Sequence, residues 1–353
     1  MSLIQNSYAV LVIGGGPAGL AAATSLARAG RRVAVFDSHE YRNDVTDQIH
    51  NVLIHDGQHP ERFRALARRE IDNLFETVTF IETTIIRAWT FKTRDSRHEF
   101  KVRDRNGTIH RGKKLILATG SVDILPDIPG FQDLWGDVIV HGIFCDGFEK
   151  RGKAAGVLGL SSLDDIAPTL MAYFLSQNDL TIYTNGEDPS KYRFQDNLDM
   201  ALARGCRLDS RKIRQFTRMQ DDSIMIQFRH GGVSHLGFLM FTPPTRNRAQ
   251  NLISRLGIQT SHRDGYAMAR GPHGETNVRG CFVAGDTSTV NKTIAVALSS
   301  GTIAGTGAAR QLAIDEGLEA TNPRFTMENE DEDKGEDDDD GDGGEDDFDD
   351  SEY

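Results

Sequence analysis

No run of 18 or more apolar residues occurs in this 353-residue chain, so a membrane-spanning helix is not expected. The opening residues, MSLIQNSYAV, lack the basic stretch and small-residue cleavage site of a secretory leader, and the expectation is a cytoplasmic protein. Cysteine is scarce. Cys145, Cys206 and Cys281 are odd in number and far apart, which argues against a disulfide framework or a structural metal site and fits a reducing compartment. A dense Lys/Arg stripe with interleaved aromatics is also missing, so neither nucleic acid nor membrane is expected as a partner.

Acidity is concentrated at one end. Glu328 to Tyr353 carries 17 acids and one lysine, a net of −16, so the formal charge of −12 leaves the rest of the chain at +4. Phe348 is essentially the one apolar residue from Glu328 to Tyr353, and residues 321–353 are expected to form a disordered acidic tail. It is either a solvating tail or a docking segment for a basic partner. The remainder, drawn from a chain with 38% hydrophobic residues, is long enough for two domains with real cores.

Its organising stretch is Ala9 to Asp37, AVLVIGGGPAGLAAATSLARAGRRVAVFD. Ala9 to Ile13 is apolar and β-branched, as a strand buried on both faces should be. Gly14, Gly16 and Gly19 fit G-x-G-x-x-G, with Pro17 and Ala18 inside the motif. Gly14 allows the turn, Gly16 lets backbone approach a pyrophosphate, and Gly19 lets the helix pack on the strand. The helix N-terminus then offers free N–H groups to phosphates. Gly30 ends the helix, and a second strand from Arg32 to Phe36 delivers Asp37, placed to accept hydrogen bonds from ribose hydroxyls. Strand, turn, helix and distal acid together make this a dinucleotide site.

Further along, His39, His50, His55 and His59 sit in a polar segment without metal-ligand spacing, so no metal is expected. They mark either a solvated loop or a loop over a cofactor. A helix is expected from Pro60 through Phe75, a strand over Thr77 to Ile86, and a hairpin turning at Asn106-Gly107. Lys114 to Leu117 reads as a strand entering the Gly120 turn, and a domain crossing is placed at Ser121 to Gly130. Gly156 to Leu160, a helix from about Asp164 to Leu175, and Leu180 to Tyr183 make a second strand–turn–helix–strand unit. Its turn is degenerate: Gly159 and Ser161 stand where two glycines belong, and Asp164 where Gly or Ala belongs. Arg207 to Phe216, Ile224 to Arg229 and Ser234 to Phe241 read as strands, Pro243-Pro244 marks the return crossing, Cys281 to Ala284 is a strand, and Lys292 to Leu312 a small-residue helix.

Four pieces, GGGPAG at Gly14 to Gly19, ATG at Ala118 to Gly120, FCDGFE at Phe144 to Glu149 and AGD at Ala284 to Asp286, come in the order found in thioredoxin-reductase-like flavoproteins. Residues 8 to 315 resemble this class, and among its members the fungal dithiol oxidases of gliotoxin-type pathways, whose loop over the flavin is similar to HNVLIHDG at His50 to Gly57. The resemblance implies an α/β fold of two Rossmann-like domains: an FAD domain, 1–122 and 245–320, interrupted by a smaller NAD(P)-type domain, 123–244. It implies FAD held by Gly14, Gly16, Pro17, Ala18, Gly19 and Asp37, by His50 and Asn51, by Thr119 and Gly120, and by Gly285 and Asp286. The helix after Asp286 would aim its N-terminus at the flavin ring. A homodimer is implied as well.

The departures shape the functional expectation. The family's redox pair is Cys-x-x-Cys, and here Gly142 takes the first position, leaving Cys145 alone. A relay through an intramolecular disulfide at this motif is excluded. The degenerate second turn means that NAD(P)H is not carried over as a cofactor in the way FAD is. Cys145 is either an inert relic beside the flavin or a stabilised thiolate, and His141 and Asp146 beside it are candidate acids or bases. The expected function is an FAD-dependent oxidoreductase acting on a small molecule of fungal secondary metabolism, with Cys145, His141 or Asp146 assisting. The alternative is a pseudoenzyme that keeps FAD and works through interactions.

Overall fold

Val10, Leu11 and Val12 are wholly buried, which follows from the apolar β1 (Ser7–Ile13) lying at the centre of a parallel sheet with both faces covered. The computed structural model describes residues 6–93, 97–160, 165–189 and 195–321. β1 pairs in parallel with β2 (Val33–Asp37) on one side and β6 (Ile109–Leu117) on the other. β3 (Val78–Glu82) extends the sheet beyond β2, and β17 (Cys281–Val283) pairs in parallel with β6. β4 (Ile85–Lys92) and β5 (His98–Asp104) add an antiparallel extension to the first half of β6, closed by the expected Asn106-Gly107 turn.

The pleat sorts the core. Val10, Val12, Val33 and Val35 face α1 (Pro17–Arg28) and α7 (Ile294–Ala320), whereas Leu11, Ile13, Ala34 and Phe36 pack toward α6 (Gln250–Arg255) and the β4–β5 extension. Each of these larger buried side chains contributes about 2 kcal/mol of transfer free energy. The small-residue composition of α7 is a packing requirement: a Cβ at Gly301 would lie 2.1 Å from the Ala18 carbonyl oxygen on α1. α2 (Pro60–Leu74) starts at its proline, with His59 accepting a hydrogen bond from the Glu61 amide as its cap.

A second sheet is built from residues 139–240. Its five strands, in the order β11 (Arg207–Asp209), β10 (Leu180–Tyr183), β9 (Ala155–Leu158), β15 (Phe238–Met240) and β8 (Ile139–Val140), are all parallel. α4 (Ile166–Leu175) and α5 (Gln195–Arg204) pack on it. A separate antiparallel sheet, β12 (Ile213–Arg218), β13 (Ile224–Phe228) and β14 (Val233–Leu236), packs with α3 (Phe131–Leu134) around Phe131, Phe216 and Trp135. The chain passes between the two parallel sheets twice, and the two passages pair with each other: β7 (Ser121–Asp123) is antiparallel to β16 (Thr245–Asn247).

Both parallel sheets support the expected pair of Rossmann-like folds. Several element boundaries differ. The Thr77–Ile86 strand divides into β3, which pairs in parallel with β2, and β4, which pairs antiparallel with β5. Lys114 to Leu117 is the second half of β6, not a strand of its own. The Arg207–Phe216 strand is two strands in different sheets, β11 and β12. Ser234 to Phe241 likewise splits at Gly237, whose amide bonds to the Ala154 carbonyl and where a Cβ would lie 2.2 Å from the Lys153 Cβ. α7 runs to Ala320, beyond the Leu312 expected from composition. Residues 1–312 form one compact unit, which holds all the sheets; residues 313–353 form the other, of which the last turns of α7 and Thr321 are described. The acidic tail from 322 and the turn residues Ser161 and Asp164 lie outside the described residues. Among those that are described, no helix is long and apolar enough to cross a membrane.

Candidate functional site

The carboxyl ends of β1, β2 and β6 open onto a cleft of about 340 Å3. It is lined by Gly14, Gly16, Pro17, Ala18, Asp37, Thr119, Gly120, Gly285 and Asp286, so the structure brings these candidates together. Close packing dictates two of the glycines: a Cβ at Gly14 would meet the Ala118 carbonyl oxygen at 2.2 Å, and one at Gly19 the Gly14 carbonyl oxygen at 1.8 Å. Gly16 is different. It caps the N-terminus of α1, and the nearest atom to an added Cβ, on Tyr41, is 3.9 Å away. It therefore borders open cleft, and the first amides of α1 behind it suit an anion.

Asp37 is buried at the end of β2, accepting hydrogen bonds from the His39 amide (3.0 Å) and the Tyr41 hydroxyl (2.5 Å). Burial, and then this bond, push the Tyr41 hydroxyl above its usual range. The Arg64 guanidinium lies 3.7 Å from the Tyr41 ring centroid and fixes it in place. Across the cleft the Gly120 amide donates to the Thr287 hydroxyl at 2.8 Å, joining the ATG and AGD turns.

Arg42, Asp123 and Lys292, which sequence reasoning missed, form a charged cluster with the expected Asp286. Arg42 donates through Nε to Asp123 (2.8 Å), while its Nη1 lies 3.6 Å from Asp286. Lys292 Nζ donates to the backbone oxygens of Asp286 (3.0 Å) and Thr289 (2.8 Å). Burial raises the Asp123 carboxyl and lowers the Lys292 ammonium from their ordinary values. Arg42 Nη2 is buried without a hydrogen-bond partner among the described residues. A cleft that combines a buried acid, a helix N-terminus on its wall and an unspent guanidinium N–H fits a dinucleotide.

Arg42, Asn43, Lys292, Thr293 and Ile294 also line a second cavity of about 110 Å3, so the two spaces share a wall at the N-terminus of α7. This cavity holds His141, Cys145 and Asp146. Cys145 and Asp146 stand on a π-helical turn, Ile143–Gly147, with His141 just before it; the Gly142 carbonyl starts the turn by accepting from the Cys145 (3.1 Å) and Asp146 (3.3 Å) amides. His50 and Asn51 line this cavity rather than the Gly-rich cleft. His50 Nδ1 lies 3.2 Å from Asp56 and 3.7 Å from Glu149. Of the other loop histidines, His39 pairs with Glu82, and His55 bonds Gln58 and packs edge-on to Phe63.

The electrostatics separate the three candidates. Burial, reinforced by Arg42 and Lys292, pushes His141 down to about 3, so it stays neutral at working pH and cannot serve as a cationic acid. Of the two roles expected for it, acid or base, the neutral ring is suited to that of a base. Burial, and next the Asp146 charge, push the Cys145 thiol up to about 11. Arg42 acts the other way and favours the thiolate, but desolvation is the larger effect. Asp146 is raised to about 6, chiefly by burial, with His50 pulling it down and Glu149 up. It alone of the three changes charge in the physiological range. Cys206 and Cys281 are buried in the two sheet cores, and all three thiols are free.

The family profile for pyridine nucleotide-disulphide oxidoreductases matches residues 8–157. Thioredoxin reductase aclD of Aspergillus oryzae is 34% identical over 311 residues, 87% of this chain and 96% of that protein. Thioredoxin reductase tcpT of Claviceps purpurea is 35% identical over 318 residues, 88% and 96% of the two chains. Among solved structures, an oxidoreductase from Agrobacterium tumefaciens superposes with a TM-score of 0.77 at 29% identity, covering 87% of this chain and 99% of that one. The chain belongs to the thioredoxin-reductase family of pyridine nucleotide-disulphide oxidoreductases.

Proposed function

We propose that this chain is an FAD-dependent oxidoreductase of fungal secondary metabolism that acts on a small molecule without an active-site disulfide. The observation that carries this is the shared wall between the dinucleotide cleft and the Cys145–Asp146 cavity, together with Gly142 where a partner sulfur would stand. Gly14, Gly16 and the α1 N-terminus would hold the pyrophosphate, with Gly19 packing the helix against the turn, Asp37 the adenosine ribose, and Arg42, Asp286 and the α7 N-terminus the flavin end. The bound flavin supplies the two-electron chemistry. Arg42 and Lys292 then set a positive border beside the reacting face, and the α7 dipole adds to it. Asp146 holds or releases the proton that accompanies electron transfer, since it titrates near neutrality where His141 and Cys145 do not. Cys145 packs as a neutral thiol.

The test is anaerobic mixing of purified full-length protein with NADPH, NADH or dithiothreitol while the flavin band is followed. The expected result is one FAD per chain, bleached by at least one of these donors. Cys145→Ser should bleach at a rate within about twofold of the parent, because no sulfur relay is on the path. A tenfold or greater loss in Cys145→Ser would reinstate thiol chemistry. An FAD-loaded protein that no donor or candidate metabolite reduces would favour the interaction-protein alternative.

A further inference from the structure

A third cavity, of about 500 Å3, lies outside the two spaces described above. Its walls are Phe144 and Phe148 beside the π-helical turn, and Met171 and Phe174 on α4. These four side chains are left 62, 60, 41 and 62% exposed, a concentration of bare apolar surface. The opposite wall is the loop from His50 to Gly57. That loop is braced: the Asp56 carboxylate accepts from the Asn51 amide at 2.7 Å, and the Ile49 and Gln58 backbones bridge. Phe148 is braced too, with the Arg151 guanidinium 4.1 Å from its ring centroid. Ile54 at the loop tip has φ +72, a conformation β-branched residues avoid, so the loop is held in shape against local strain.

His50, Asn51 and Phe144 line both this cavity and the one holding Cys145 and Asp146. We infer that the third cavity is the substrate vestibule, and that it selects a neutral, ring-bearing small molecule and delivers it past His50 to Asp146. The inference rests on the proposed function above and names its substrate class. A volume of this order matches ligand pockets. Three phenyl rings offer stacking and edge contacts to a flat or cyclic molecule. Asp56 and Glu149 at the rim, with Asp146 beyond, outnumber the Arg151 cation over Phe148 and disfavour an anion.

The probe is N-phenyl-1-naphthylamine, a neutral ring-bearing fluorophore, titrated into purified full-length protein. Saturable binding at one site per chain is expected, weakened about tenfold by Phe148→Ala and by Phe174→Ala, whose exposed side chains contribute little to folding. The anionic analogue 8-anilinonaphthalene-1-sulfonate should bind at least tenfold more weakly to the parent and recover in Glu149→Gln. Binding indifferent to both phenylalanine substitutions would overturn the inference, as would equal affinity for the sulfonate. A dimer that dissociates on Phe174→Ala in sedimentation would also overturn it, assigning the surface to a second copy of the chain. Flavin content is read on the same samples. Lost dye binding with full flavin sinks the vestibule alone, whereas absent flavin sinks the proposed function and leaves the dye titration interpretable.

Discussion

Two glycines three residues apart should fail in opposite ways. Gly16 has φ −74 and ψ −178, which any residue adopts, and an added side chain meets nothing nearer than 3.9 Å. Gly16→Val therefore costs the fold only the helix-cap preference, about 1 kcal/mol. Its two methyl groups, however, occupy the space through which a pyrophosphate reaches the α1 amides. Losing that approach should weaken FAD at least about 100-fold, or about 2.7 kcal/mol. Gly19 is the reverse case. Its Cβ would sit 1.8 Å from the Gly14 carbonyl oxygen, so Ala at this position must displace backbone in a fully packed core. That costs about 3 kcal/mol or more, a drop of roughly 5 °C or more in melting temperature for a chain this long. The assay is the 450-to-280 nm absorbance ratio of each purified variant, with thermal melting with and without added FAD. Gly16→Val should be colourless, folded and insensitive to FAD, whereas Gly19→Ala should melt low in both conditions. A yellow Gly16→Val with one FAD per chain would refute the pyrophosphate assignment. A Gly19→Ala melting like the parent would refute the packing argument.

Asp146 gives a pH prediction. Its folded pKa of about 6 lies above the ordinary 3.8, so its charge destabilises the fold above pH 6, and the penalty is relieved as pH falls from about 6 to about 4. Asp146→Asn should gain about 2 kcal/mol at pH 8 and almost nothing at pH 4, read as melting temperature across pH, and should erase the limb near pH 6 from the rate of flavin reduction. A constant difference across pH would show that the carboxyl is not desolvated. Cys145, at about 11, should react with iodoacetamide at pH 8 about 200-fold more slowly than a free cysteine, since its thiolate fraction falls by that factor; mass-spectrometric alkylation kinetics matching free cysteine would disprove it. Gly142→Cys should fold as stably as the parent, because an added Cβ at Gly142 meets nothing within 4 Å and φ −162 is extended backbone. A melting temperature several degrees below the parent's would count against that open space.

What could be read from the sequence was what repeats locally. The stretch from β1 to β2 follows from β-branched runs, glycine spacing and one terminal acid, and the sheet forms around it as those residues require. Two things were not readable. β15 inserts between β9 and β8 because Gly237 lets the chain come within reach of Lys153, a contact with no local signature. Arg42 and Lys292, 250 positions apart, matter because β7 and the α7 N-terminus bring Asp123 and Asp286 to them, and a lone Arg after Tyr41 carries no spacing signal. The charge states of His141 and Cys145 were equally hidden, since both follow from burial.

The site keeps the scaffold of a cysteine pair while lacking one of its sulfurs. The Gly142 carbonyl still organises the turn by accepting from both the Cys145 and Asp146 amides. The place where a side chain on residue 142 would project is empty. Such a turn can still position a proton on Asp146, because that depends on burial and on His50 and Glu149, none of which needs a second sulfur. It cannot store two electrons, because a lone neutral thiol offers neither a nucleophile nor a bond to reduce. On the proposed function, electron storage falls to the dinucleotide cleft, and the substrate comes to the shared wall at Arg42 and Thr293 instead of meeting a disulfide. That division predicts that oxidation of the substrate will follow the state of Asp146 and the occupancy of the cleft, and will be indifferent to thiol-blocking reagents; inhibition of the FAD-loaded protein by N-ethylmaleimide that disappears in Cys145→Ser would show the division to be wrong.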